Sequence, residues 1–282
     1  MSYPILRLTP PGDTPPRVLT IAGSDSGGGA GIQADLRTMA LLGVHACVAV
    51  TAVTVQNTLG VRDFHEIPAD IVAAQIEEVV TDIGIGAAKT GMLASSRIIG
   101  AVSDAWMRLG MAVPLVVDPV CASMHGDPLL AHEALDSLRD QLFPLATLVT
   151  PNLDEVRLLV GIDVIDAESQ RAAAEALHDL GPEWVLVKGG HLRSSANSRD
   201  LLYDGTQFHT YEAPRLPTGN DHGGGDTLAA AAACALAQGF TMPEAVGFAK
   251  QWVTECLRAA YPLGAGHGPV SPLFRLQPNA PE

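Results

Sequence analysis

Short, uninterrupted apolar runs alternate with amphipathic segments along almost the whole chain, and this constrains the fold more than any other feature. The runs are Arg17–Ala22 (RVLTIA), Ala46–Ala52, Ala87–Thr90, Pro114–Asp118 (PLVVD), Thr147–Thr150 and Trp184–Lys188 (WVLVK). A strand that is apolar at successive positions has to be covered on both faces. Between the runs lie segments of helical spacing: Ile32–Leu42, Ala69–Ile83, Ile98–Leu109, Ala131–Leu142, Leu153–Val160 and Ala167–Leu180. In the second of these, Ile71, Val72, Ile76, Val79 and Val80 share one side. Parallel strands need crossovers of this length. The expected architecture is therefore α/β in three layers, with a central, mostly parallel sheet and helices on both faces. Leu201–Tyr203 and Gln207–Glu212, joined by Asp204-Gly205, read as a hairpin. Two helices, Thr227–Gln238 and Pro243–Ala260, close the pattern. Ligands of such sheets bind at the carboxyl ends of the strands, and the polar clusters of this chain fall at those ends.

The 282 residues, 47% of them hydrophobic, suffice for one large core. A single domain is expected over residues 17–272, between an N-terminal tail, 1–16, with five prolines and a C-terminal tail, 273–282. The formal charge is 17 − 31 = −14. Such a surface disfavours nucleic acid and anionic membranes as partners. The first sixteen residues hold no apolar signal-peptide core, and no run approaches the roughly 18 apolar residues of a membrane span. The four cysteines, Cys47, Cys121, Cys234 and Cys256, form no C-x-x-C pair and sit in apolar stretches. Buried free thiols and a cytoplasmic location are expected.

Several clusters could carry chemistry. Ala22–Gly31 (AGSDSGGGAG) joins the first strand to the first helix, and its glycines allow backbone to approach a ligand closely. The loose G-x-G-x-x-A pattern within it is weak, because the second strand ends without an acid for a ribose. No Walker A sequence occurs, so any ATP is held without a P-loop. Asp35, one turn into the first helix, suits either the helix dipole or a ligand's polar edge. Gln56 follows the second strand, and its amide both donates and accepts. Asp118, at the end of PLVVD, is placed for Mg²⁺, which takes oxygen ligands. Asn152 and Glu155 have the spacing of a capping box. Lys188, beside Gly189 and Gly190, suits a phosphate.

The strongest local signal is Asn220-Asp-His-Gly-Gly-Gly-Asp-Thr227 before an alanine-rich helix. Successive glycine N–H groups at a helix start make an anion hole. An acid at its entrance, Asp226, can take a proton from a substrate hydroxyl while the hole stabilises a transferring phosphoryl group. The alternative is that Asp226 only caps the helix, and three glycines exceed what a cap requires.

Together and in order, LTIAGSDSGGGAGIQADL, TAVTVQNTLGV, KTGML, VVDPV, GDPLL, VTPNLDEV, VKGGH and GHGPV resemble the hydroxymethylpyrimidine/phosphomethylpyrimidine kinases of thiamine biosynthesis, in the ribokinase superfamily. The resemblance runs from about Arg17 to Pro269. It implies a ribokinase-like fold and ATP-dependent phosphorylation of 4-amino-5-hydroxymethyl-2-methylpyrimidine, then of its monophosphate. It implies Gly23, Asp35, Gln56 and Met92 around the pyrimidine, and Asn152, Lys188 and Thr218 on ATP. Asp118 and Glu155 would organise Mg²⁺, with Gly223, Gly224 and Gly225 as the anion hole. A homodimer is expected on the same ground.

The chain departs from that pattern at two places. Those kinases usually read His-Gly-Thr-Gly-Cys at the anion hole, where this chain has His222-Gly-Gly-Gly-Asp226. An aspartate there resembles the general base of ribokinase-like sugar kinases and some pyridoxal kinases. The loop after Asp118 carries Met124-His125 where the family usually has Lys-Ser. A pyridoxal kinase on the same scaffold is the close alternative, and a catalytically silent pyrimidine-binding protein is the alternative from another class.

Overall fold

The computed structural model describes residues 8–121, 132–190 and 197–276; Met124, His125 and His191 lie outside them. The strands are β1 (Arg17–Ala22), β2 (His45–Val50), β3 (Ala52–Asn57), β4 (Gly60–Glu66), β5 (Ala87–Thr90), β6 (Leu115–Val117), β7 (Leu148–Val149), β8 (Trp184–Val187), β9 (Asn197–Tyr203) and β10 (Phe208–Pro214). The helices are α1 (Gly31–Leu41), α2 (Ala69–Glu78), α3 (Ser96–Arg108), α4 (His132–Ser137), α5 (Leu153–Val160), α6 (Ala167–His178), α7 (Gly224–Ala237) and α8 (Met242–Arg258). Wider π turns prolong α2 through Ile83 and α4 through Leu142.

Eight strands form one sheet in the order β10-β9-β8-β7-β6-β5-β1-β2, parallel from β8 to β2 and antiparallel at β8–β9 and β9–β10. The expected three-layer α/β architecture is what the chain adopts. Period-two alternation splits the core. Leu19, Ile21, Leu115, Val117, Val185 and Val187 face one layer with Ile98, Val102, Trp106, Val156 and Leu177. Val18, Val116 and Leu186 face the other, with Met39, Val246 and Trp252. Each fully buried Val, Leu or Ile here contributes about 1.5–3 kcal/mol.

Two consequences of the chain path place the site. First, β1 is flanked by β2 on one side and β5 on the other, so the connections after β1 and β5 leave in opposite directions. That is the topological switch point, where a crevice opens at the strands' carboxyl ends. Second, α7 is buried along Thr227–Ala235, and five of those residues are consecutive alanines. Small side chains let this helix lie close to the middle of the sheet, which brings its N-terminus to the crevice.

The structure extends or corrects the expected elements at four points. The apolar run expected as one strand to Ala52 turns at Thr51, and β3 and β4 form a separate antiparallel hairpin. Gln56 therefore lies within β3, next to a bulge, instead of following a strand. Helix α7 begins at Gly224, three residues before the expected start, so Gly224 and Gly225 are helical and Gly223 is the N-cap. At the other end, residues expected to begin a tail at 273 instead form a 3₁₀ turn, Pro272–Leu276. Phe274 packs there with its ring centroid 5.1 Å from that of Trp252. All four cysteines are buried and free. Among the described residues no helix is long and apolar enough to cross a membrane.

Candidate active site

The N-terminus of α7 is held between two clusters of charge. On one side Lys89, from β5, places its Nζ 2.9 Å from Oδ1 of Asp226 and 3.0 Å from Oδ2 of Asp35. The Thr20 hydroxyl donates to the same Asp35 oxygen at 2.6 Å. On the other side Lys188 donates to Oδ1 of Asp118 at 2.8 Å and lies 4.0 Å from Glu155. Thr150 also donates to Asp118, at 2.9 Å. The clusters meet at Gly225, where a Cβ would stand 3.3 Å from Nζ of Lys188 and 3.4 Å from Oδ2 of Asp118.

Charge is not shared evenly. Burial would raise Asp226, but Lys89 beside it wins and holds its carboxyl below the ordinary range. Burial pushes Asp35 up to about 7 against the pull of Lys89, with Asp226 adding to the rise. Burial likewise pushes Glu155 up to about 8, opposed by Lys188 and reinforced by Asp118. Burial alone would lower Lys188, yet Asp118 and Glu155 keep it charged and above its usual value.

The glycine turn has defined geometry. Gly223 has φ +76°, in the left-handed region. The N–H of Gly224 bonds back to the carbonyl of Asp221 at 3.1 Å. The N–H groups of Gly225 and Asp226, in the first turn, have no partner within the helix, and they are the donors the turn can offer an anion.

Gly23 and Met92 sit together across the switch point: a Cβ on Gly23 would lie 3.5 Å from the Met92 sulfur. The β3–β4 hairpin leans over them. Thr54 donates to the carbonyl of Ser24 at 2.8 Å and to Oε1 of Gln56 at 3.2 Å. Nε2 of Gln56 lies 3.4 Å from Nε2 of His222. Gly23, Met92 and Gln56 thus occupy one region beside the α7 turn. Asp35 does not join them. Its side chain has no exposed surface and is committed to Lys89 and Thr20, so the placement corrects the expected ring contact. Thr218 lies between β10 and α7, where its hydroxyl accepts from the N–H of Asn220 at 3.0 Å.

Two other expectations gain detail. Asn152 and Glu155 form a full capping box, each side chain accepting from the other's backbone N–H at 2.9 and 2.7 Å. Asn152→Ala is expected to lower Tm by ~2–4 °C in a thermal melt, since such a cap is worth about 1 kcal/mol. The loop after β1 does not offer its N–H groups to an anion, because Asp25 takes them. Its carboxylate accepts from Gly27, Gly29 and Ala30 at 2.7–2.9 Å and contacts Nε2 of His222 at 3.0 Å. Those bonds and the His222 contact hold Asp25 below the carboxylate range despite its burial.

Sequence reasoning missed Asp25, His222 and Lys89 as parts of the site. For Lys89 a signal was present: a lone lysine within the short apolar run AAKT has to meet a buried acid.

The site's donor set also fits Mg²⁺. Among the described residues no group of three or more His, Cys, Asp or Glu forms a cage. Mg²⁺ is commonly bound by one or two carboxylates together with substrate phosphates, and Asp118 and Glu155 supply such a pair.

The chain is similar to known proteins over nearly its whole length. The family model described as phosphomethylpyrimidine kinase matches residues 25–271. The chain is 79% identical over 276 residues to a hydroxymethylpyrimidine/phosphomethylpyrimidine kinase of Mycobacterium tuberculosis, covering 98% of this chain and 100% of that one. An ADP complex of Bacillus subtilis pyridoxal kinase superposes with a TM-score of 0.85 at 34% identity, covering 94% of this chain and 100% of that one. A phosphomethylpyrimidine kinase from Clostridium difficile superposes with a TM-score of 0.75 at 38% identity, covering 85% and 98%. The chain belongs to the phosphomethylpyrimidine kinase family, with a ribokinase-like α/β fold.

Proposed function

We infer that this chain transfers the γ-phosphoryl group of ATP to the hydroxymethyl group of 4-amino-5-hydroxymethyl-2-methylpyrimidine, and then to the resulting monophosphate, in thiamine biosynthesis. One observation carries the mechanism: a carboxylate, Asp226, paired with Lys89 at 2.9 Å, stands in the first turn of a helix whose N-terminal donors lie at the crevice.

The substrate oxygen forms a bond to the γ-phosphorus as the bond from that phosphorus to the β-bridging oxygen breaks. The electron pair leaves on ADP. The hydroxyl proton passes to Asp226, which releases it to water after the products depart. On the monophosphate the attacking atom is a phosphate oxygen, and the same donors receive the transferring group. The N–H groups of Gly225 and Asp226 stabilise its equatorial oxygens. Gly223 sets their direction, and Gly224 leaves room beside them.

Lys188 neutralises phosphate charge from the opposite side. Asn152 and Thr218 border the nucleotide. Gly23 and Met92 pack on the pyrimidine ring, and the Gln56 amide reads its nitrogen edge. Asp118 and Glu155 would hold Mg²⁺, which when bound would offset the negative charge of the nucleotide phosphates. A homodimer is part of the same reading, and sedimentation of the purified chain measures it.

Product analysis by mass, with Mg-ATP and either the free pyrimidine or its monophosphate, tests the proposal. Two successive phosphoryl additions are expected. Addition to the free pyrimidine alone would restrict the reading to the first step. Pyridoxal phosphorylation is the second reading, favoured by the overlay on a pyridoxal kinase and by Asp226. A higher kcat/KM with pyridoxal than with the pyrimidine would select it. Ligand binding without ATP consumption would defeat both.

A further inference from the structure

At the centre of the site sits a lysine that no solvent reaches. Lys89 and Asp35 have no side-chain exposure, while Asp226 retains 15%. Nζ of Lys89 lies 3.1 and 3.0 Å from the two oxygens of Asp35 and 2.9 Å from Oδ1 of Asp226. A line of alternating charge therefore runs outward from the interior: Asp35, Lys89, Asp226. Only its outer member reaches the crevice. The line also touches the turn that carries Met92, since a Cβ on Gly91 would stand 2.9 Å from Nζ of Lys89.

Buried ion clusters of this kind are often no more stabilising than apolar packing of the same volume. Stability alone is a weak reason for three charges to meet here, and their geometry relative to the base is a stronger one. A carboxylate facing a lone ammonium would stay ionised but would be a poor base. A carboxylate with no cation in this buried place would be protonated and unable to accept. Two carboxylates sharing one ammonium lie between these limits.

We propose that Lys89 and Asp35 are positioning residues for the phosphoryl transfer: Lys89 holds Asp226 ionised and aimed at the substrate hydroxyl, and Asp35 draws off enough of the ammonium's charge to leave Asp226 basic. The proposal rests on Asp226 being the base. Asp35 acts through Lys89 and touches neither substrate nor nucleotide. The other polar and charged groups that bear on the line are Thr20 of β1 on Asp35, Cys234 of α7 on Asp35, Asp118 after β6 on Lys89, and His222, Lys188 after β8, Glu155 of α5 and the Gly31 N–H on Asp226. None of them lies between Lys89 and either carboxylate.

Steady-state kinetics across pH on Asp35→Asn, on Lys89→Met and on the double variant test this. Lys89→Met alone strands two buried carboxylates and can fail to fold. The double variant leaves Asp226 as the only acid of the three and keeps the volumes. It is expected to fold and to keep its KM for the pyrimidine. The acidic limb of its kcat profile should move upward by ~1 pH unit or more, because Asp226 has lost its cation. Asp35→Asn should show no such rise and should lower plateau kcat by ~10-fold, because its base is now too weak.

A double variant whose acidic limb coincides with that of the wild type overturns the proposal. So does one in which KM changes and kcat does not. Asp226→Asn in the same series separates the two levels of the argument. If that variant loses turnover while the limb of the double variant stays unmoved, the roles of Lys89 and Asp35 fail and the base stands. If it keeps full turnover, the base assignment fails, and this proposal with it.

Discussion

Asp226→Asn is expected to lower kcat by at least ~10², the loss that follows removal of a positioned general base. That corresponds to about 2.7 kcal/mol of transition-state stabilisation. The substitution is close to isosteric. The amide oxygen can still accept from Lys89, now 2.9 Å from Oδ1, and the backbone donors of the turn do not change. What disappears is the capacity to hold a proton. KM for pyrimidine and ATP should therefore stay near the wild-type values while kcat and kcat/KM fall together, as expected for an interaction made only in the transition state. Binding measured by calorimetry beside steady-state turnover checks both halves. Unchanged turnover would remove Asp226 from the mechanism, and weakened ATP binding with little loss of kcat would make it a structural residue.

Gly223→Ala is the other substitution with a large expected effect, and it acts through the backbone. At φ +76° an alanine pays roughly 1–2 kcal/mol for the left-handed conformation. Its Cβ would also overlap the carbonyl oxygen of Gly29 and lie 3.2 Å from Cα of Ala30. Both neighbours are backbone, so no side-chain rotation relieves the crowding. The α7 start and the loop after β1 have to separate. Tm should fall by ~5 °C or more. Because the donors and Asp226 move with the helix start, kcat should fall by ~10².

Gly224→Ala is the matched control for that result. A Cβ there would meet only Val270, at 3.8 Å, so its Tm should stay within ~2 °C of the wild type. A differential melt of the two variants, with turnover, decides the matter. Equal behaviour would show that the turn tolerates a side chain at either position and that the contact with Gly29 does not set its geometry.

The two variants probe different kinds of information in this chain. The role of Asp226 could be weighed from the order of residues, because three glycines before an acid and an alanine-rich run form a local pattern. The demand on Gly223 could not. Its contact, Gly29, is almost 200 positions away in the chain, and only folding places one loop on the other. The same difference explains Asp35. One turn into a helix, an acid reads equally well as a dipole partner or as a ligand reader. The choice was made by Lys89, 54 positions later, whose Nζ needed a partner once β5 was buried. The hairpin β3–β4 escaped for a related reason. Its valines, Val53 and Val55, are about half exposed, and their run continues the apolar segment of β2, so nothing local marks the turn at Thr51.

By itself the sequence determined the layered α/β architecture, because continuously apolar strands and amphipathic helices of period 3.6 can bury their surfaces only by stacking. It also determined which strand ends carry polar groups, and its ordered motifs named the family. Only the tertiary structure decided which of those groups face the crevice and which are spent on one another. Asp226 and Lys188 border the glycine turn, Asp35 is turned inward, and Asp25 fills the loop that had looked ready for an anion. The physical reason is that pairing of buried charges and close approach of backbones depend on three-dimensional distance, which residues far apart in the chain acquire only when the sheet is assembled.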